Sequence, residues 1–242
     1  MIMHSIQLGN QTIPYTLKQS LRRKTLSISV NQNGVSVTAP SNITVEKIES
    51  MLHKKAGWII EQINDFREMN TAVYERSFLS GEKLPYLGRH YRLKVIKTEI
   101  QKPNFRFYQG YFLAELSKEI LEEDQRRLLY PLYVDWVKQK AQGFVHNRLP
   151  RFTIKLQLEP KKIIIKEQEQ RWGSCTPTGN ILLNWRIFLA PTSIIDYVLA
   201  HEIVHLKHMN HSKEYWETLR MLLPDYEKRK DWLRINGGTL NV

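Results

Sequence analysis

Residues 201–205 read His-Glu-Ile-Val-His, and a further histidine, His211, stands ten positions after the first. The flanking residues say what carries this run. Pro191-Thr192-Ser193 is a helix start signal, and Ile194, Ile195, Val198, Leu199, Ile203 and Leu206 recur at helical spacing, which predicts a helix over 193–209. On a helix, residues four apart share a face and lie about 6 Å apart along the axis. His201 and His205 therefore converge on one point, where neutral imidazoles suit Zn²⁺. Glu202 points about 100° round the helix from His201, beside the two ligands rather than among them. That is the placement of a general base acting on a water that a metal activates. Two neutral histidines and a glutamate beside an apolar stripe are costly to bury unsatisfied, and a bound ion resolves the cost. His-Glu-x-x-His followed by a third histidine is a metalloprotease signature.

A catalytic zinc keeps three protein ligands and one open position. His211 follows Met209-Asn210, where Asn210 can stop the helix in a left-handed conformation. Ser212 can then cap a new helix with Glu214 in its first turn. A chain that turns there brings His211 to the ion from a new direction. The alternatives are His208, which continues the same face of a straight helix but leaves it one turn higher, and the acids Glu214 and Glu217. Asp196 reads as a first-turn helix acid or as a carboxylate orienting a ligand imidazole. Tyr215 and Tyr226 are candidates for contact with substrate or transition state. Met221 sits inside an apolar helical run, so no Met-turn follows the histidines.

Upstream lies Arg171-Trp172-Gly173-Ser174-Cys175, then a turn at 176–180 and a strand over 181–187. Gly173 suits a bulge or a close backbone approach. Arg171 is suited to stabilising an oxyanion or binding a substrate carboxylate, and equally to packing on aromatics with its head in solvent. Trp172 and Trp185 read as packing residues, and Cys175 as a small buried one.

The run RWGSCTPTGNILLNWRIFLAPTSIIDYVLAHEIVHLKHMNHSKEYW, residues 171–216, closely resembles the YgjP-like metallopeptidase family, zinc-dependent hydrolases with a zincin core. RWGSC, LNWR, the DYV segment before HEIVH, NHS with the third histidine and the following Trp occur in the family's order. Weaker likeness extends through YLGRHYRL at 86–93 and the β-rich N-terminal stretch. The resemblance implies one zinc ion bound by His201, His205 and His211, with Glu202 catalytic and a peptide or protein as substrate. It also relates the C-terminal half to the SprT-like proteases, some of which act on proteins attached to DNA.

Working outward, the first forty residues read as a β-meander, with Gly9-Asn10 and Asn33-Gly34 as turns. A helix follows from about Thr44 to Met69. Tyr91 to Ile96 is a strand, and Phe105 to Phe107 pairs with Phe112 to Leu116 across Gln109-Gly110. Residues 119–149 read as a helix broken or kinked near Tyr130 by Pro131. Runs at 152–158 and 162–166 read as strands, and a last helix covers 213–234. The expected fold is α+β, with a β-rich region at 1–118 and a zincin-like metallopeptidase domain at 119–242. In it the 119–149 helix packs beside the HEIVH helix, and the 181–187 strand borders a cleft where a peptide docks by analogy with proteases of this type.

The 242 residues carry a net charge of +12, with 42% hydrophobic residues and one cysteine. A lone Cys excludes an internal disulfide, and with no apolar run of membrane-spanning length and no basic-then-apolar leader the expected setting is the cytoplasm. The excess base falls mainly before residue 119. Lys18, Arg22, Arg23 and Lys24 cluster between two predicted strands, which leaves nucleic acid open as a partner. Two other readings of the chain are a nucleic-acid-associated protein whose zinc is structural or secondary and a metal-dependent hydrolase of a non-peptide amide. The sequence leaves the oligomeric state open.

Overall fold

A computed structural model describes residues 2–9, 11–21, 23, 25–31, 34–60, 63, 75–168 and 171–242. The chain forms two compact units, Met1–Ala72 and Val73–Val242. This division differs from the expected one at 118/119. The reason is that the second β unit shares its core with the helices after it: Phe78, Leu84, Leu93 and Phe112 are buried in one cluster with Leu129, Tyr133, Val137 and Trp185.

In the first unit, strands β1 (Ile2–Leu8), β2 (Gln11–Ser20), β3 (Ser27–Asn31) and β4 (Gly34–Pro40) form a sheet of order β1-β2-β4-β3. Alternation puts Ile13, Tyr15 and Leu17 of β2 and Val35, Val37 and Ala39 of β4 on one face. Helix α1 (Val45–Lys54) buries Ile48 and Leu52 in the same core. The sheet is not a meander, because β2 and β4 run parallel and β3 is the outer partner of β4. Period-two patterning specifies which face is buried but not which strand is the neighbour. The stretch of the predicted helix beyond residue 63 lies outside the described residues, as do Arg22 and Lys24, while Lys18 and Arg23 are exposed.

In the second unit, β5 (Lys83–Tyr86), β6 (Arg89–Thr98), β7 (Asn104–Tyr108) and β8 (Tyr111–Ser117) form a sheet of order β5-β6-β8-β7, with the expected antiparallel β7–β8 hairpin. Helix α2 (Glu122–Arg148) lies against it and runs unbroken through Pro131. Burial of Leu129, Tyr133, Val134 and Val137 on both sides of the proline holds the helix despite the lost hydrogen bond.

Three further expectations are corrected. Residues 152–158 are not a strand: Pro150–Leu156 is helix α3, with Pro at its start and Gln157 left-handed (φ 54°) at its end. Phe152, Ile154 and Leu156 alternate as in a strand, yet Ile154 is 73% exposed, and a proline at the first helical position settles the local choice. The last helix is two, α5 (Lys213–Leu222) and α6 (Tyr226–Asn236), parted at Leu223-Pro224, where the residue before proline is extended. The 181–187 strand ends at Asn184.

A small second sheet completes this unit, with β9 (Lys162–Lys166), β10 (Gly173–Cys175) and β11 (Asn180–Asn184) in the order β10-β11-β9. A 3-10 turn, Trp185–Leu189, leads into α4 (Thr192–Val204). Among the described residues no helix is long and apolar enough to cross a membrane.

Candidate metal centre

Helix α4 is buried on nearly every side, with Ile194, Ile195, Val198, Leu199, Ala200, Ile203 and Val204 all in the core. Helices α5 and α6 and strand β10 pack along it, and α2 reaches it through Arg148. In a helix so enclosed a polar group without a partner is costly. Asp196 pairs with Arg148 at 3.2 Å and Arg151 at 3.4 Å. Its role is thus to tie α4 to α2 and α3, and it orients no imidazole.

His201, Glu202 and His205 follow in the last turn and at the helix C-cap. The helix stops earlier than predicted. Leu206 and Lys207 make tighter i→i−3 backbone bonds, and His205 Nδ1 donates to the carbonyl of His208 at 2.9 Å. Asn210, the expected left-handed stop, is not among the residues with positive φ. A carbonyl can only accept, so His205 Nδ1 carries a proton, which leaves Nε2 as the nitrogen a metal would take. The early stop sends the chain back over α4 and brings in His211.

The three imidazoles cluster, with ring centroids 4.7–5.0 Å apart. Each offers a nitrogen within 4.8 Å of the others. His201 Nε2 and His211 Nε2 lie 3.2 Å apart. Two nitrogens on one tetrahedral zinc, at about 2.0–2.1 Å each, would be separated by roughly 3.3 Å. Burial and the neighbouring imidazoles push His201 down to about 3 and lower His211 as well. Both rings are therefore neutral, as ligands must be. The donor set fits a zinc ion. His205 is buried and His211 exposed, so the cluster opens to solvent on the side of His211.

The other third-ligand candidates lie elsewhere. His208 Nε2 is 3.3 Å from Thr218 Oγ1. Glu217 faces Lys213 at 3.8 Å, and the Glu214 carboxyl is held low by Ser212 at the start of α5. Tyr215 is fully buried and donates its hydroxyl to the carbonyl of His201 at 3.1 Å. It thus braces the end of α4. Tyr226 donates to Glu227 at 3.1 Å.

Glu202 is 4% exposed, and burial pushes its carboxyl up to about 8 against the opposing charge of Arg171. Arg171 is exposed. Its carbonyl, with that of Gln168, accepts from Asn184 Nδ2 at 3.1 and 2.7 Å. Asn184 Oδ1 in turn accepts from Arg186 N at 3.1 Å. Asn184 thus ties the segment before β10 to the end of β11, a role that sequence reading missed although the residue sits in the quoted LNWR. Trp185 is fully buried, Trp172 lies against Gly237, and Cys175 is half-buried. The role of Trp216 was also missed: its ring stacks on His211 at 5.4 Å and on Tyr226 at 5.6 Å. The spacing of this tryptophan five residues after the histidine was the available signal.

Strand β11, expected to border a docking cleft, has β10 on one side and β9 on the other and offers no free edge. The edges of this sheet are β10 and β9. Trp172 and Thr176 bond across to β11, so by alternation the backbone groups of Gly173 and Cys175 face away from it.

The family model described as YgjP-like, metallopeptidase domain, matches residues 24–236. No curated protein matches the chain. Among solved structures, the crystal structure of the metallopeptidase zymogen of Pyrococcus abyssi abylysin is similar over 37% of this chain and 90% of that one, at 20% identity and a TM-score of 0.35. With the match covering both the histidine cluster and the β unit before it, the chain belongs to the YgjP-like metallopeptidase family.

Proposed function

We propose that this metallopeptidase is zinc-dependent, that His201, His205 and His211 hold the ion, and that Glu202 is the general base for hydrolysis of a peptide bond. The observation that carries the reading is the meeting of three imidazoles with a buried carboxyl one residue along the same helix. A zinc ion held there supplies Lewis-acid polarisation of the scissile carbonyl and lowers the pKa of water. Glu202 takes the proton from the attacking water and passes it to the leaving amine. In this reading Arg171, exposed and close enough to oppose the effect of burial on Glu202, meets a carboxylate or oxyanion of the substrate. An extended substrate pairs with the outward backbone groups of Gly173 and Cys175.

The test is elemental analysis and peptidase assay of wild type, His211→Ala, His208→Ala and Glu202→Gln. His211→Ala should lose equimolar zinc and His208→Ala should keep it. Glu202→Gln should keep zinc and lose at least about two orders of magnitude in rate. Metal retained by His211→Ala, or activity retained by Glu202→Gln, rejects the assignment.

A further inference from the structure

The RWGSC segment contains a glycine that no turn explains. Gly173 is not among the glycines with positive φ, so its backbone conformation is open to any residue. Space is what restricts it. A Cβ built on Gly173 would lie 2.6 Å from Glu202 Oε1, 2.7 Å from its Cγ and 2.9 Å from its carboxyl carbon. All three distances are shorter than non-bonded contacts allow. The clash reaches up to Cγ, and at 4% exposure the side chain has no solvent into which to swing.

The strand is held as firmly as the acid. Gly173 pairs with Leu183 in the β10–β11 ladder, Asn184 N donates to the Trp172 carbonyl at 2.8 Å, and Asn184 Nδ2 binds the carbonyls of Gln168 and Arg171. Relief by sliding β10 away would break these bonds. Two pinned elements therefore meet at one point, and only the missing side chain makes room.

We propose that Gly173 is a positioning residue: its backbone forms the wall against which the Glu202 carboxyl rests, and this contact sets the rotamer of the acid. Its catalytic consequence rests on the reading of Glu202 as the base, while the packing itself does not. Any Cβ at 173 displaces the carboxyl, whereas the three histidines, none of which is among the atoms nearest that Cβ, stay where they are.

The experiment is a double-mutant cycle by thermal melting of the full metal-free chain, comparing Gly173→Ala in wild type and in the Glu202→Ala background. In wild type the substitution should lower Tm by about 5 °C, as overpacking of a filled site does. With Glu202 truncated the same substitution should lower it by less than half as much. If Gly173→Ala fails to fold alone but folds with Glu202→Ala, the proposal is supported. Equal losses in both backgrounds, or failure to fold in both, overturn it. In the zinc-loaded chain, hydrolysis of a quenched-fluorescent peptide library by Gly173→Ala should show unchanged metal content, KM within about twofold, and kcat down by about tenfold or more. A raised KM with kcat intact, or lost zinc, rejects the positioning role. If wild type cleaves no peptide, the reading of the function fails while the melting cycle still decides the packing.

Discussion

Glu202 and His201 stand side by side, and the same burial acts on them in opposite senses. The carboxyl is pushed up to about 8 and the imidazole down to about 3, since a poorly hydrated site disfavours the charged form of each. For Glu202 the folded chain holds its proton to higher pH than the unfolded chain. Its contribution to stability is complete below about pH 4.5 and is lost as pH rises towards 8. His201 works the other way, losing its contribution as pH falls from about 6.5 towards 3. Glutamine cannot titrate, and His201 is common to both proteins. In metal-free chains, denaturant titrations should therefore show wild type losing stability relative to Glu202→Gln between pH 4.5 and 8. A pH-independent difference would mean that the carboxyl is hydrated. Trp216 belongs to this scale too, because its ring is the surface on which His211 rests, and Tyr215 beside it fixes the carbonyl of His201.

The position of α4 is set at its start by an element from the other end of the unit. The β5–β6 hairpin turns at Leu87-Gly88, whose amides donate to the carbonyls of Phe188 and Leu189 at 2.9 and 3.1 Å, just before the helix begins. A Cβ at Gly88 would lie 2.7 Å from the backbone of Pro191. Gln109-Gly110 makes a turn of the same kind in the β7–β8 hairpin, with φ 45° and 84° against 49° and 75°, but nothing lies within 4 Å of a Cβ at Gly110. The two glycines separate strain from contact. Gly110→Ala should cost about 1 kcal/mol for left-handed backbone alone, and Gly88→Ala about 2–4 kcal/mol, because the hairpin must also lift from the helix start. Melting curves check this, and equal losses would show that the hairpin does not brace α4. The YLGRHYRL likeness is thus explained by docking, and the early end of α4 by the His205–His208 bond.

Each of the two units has its own core, one built from residues 6–63 and the other from 78–242. Every residue argued into the metal centre belongs to the second. A chain of residues 73–242 should therefore fold alone and bind zinc in equimolar amount, with the affinity of the full protein. Elemental analysis and a chelator titration of both chains check it, and a fragment that fails to fold or hold metal would make the first unit part of the site. How far the sequence reached can be judged from particular residues. His201, Glu202 and His205 are legible because one helix turn relates them, and the β7–β8 hairpin because its turn residues are adjacent. Proximity along the chain carries such information whatever surrounds it. The boundary at 72/73, the parallel pairing of β2 with β4, the helix at 150–156, the pairing of Asp196 with two arginines and the free edge of β10 were not legible in this way. Each depends on which distant segment arrives as a neighbour, and one stretch of chain is compatible with several. Gly173 shows the division most sharply. That a glycine stands there is plain from the chain, but that it is needed for the carboxyl of Glu202 follows only when β10 and α4 pack together, because the space it leaves is filled by a residue 29 positions away.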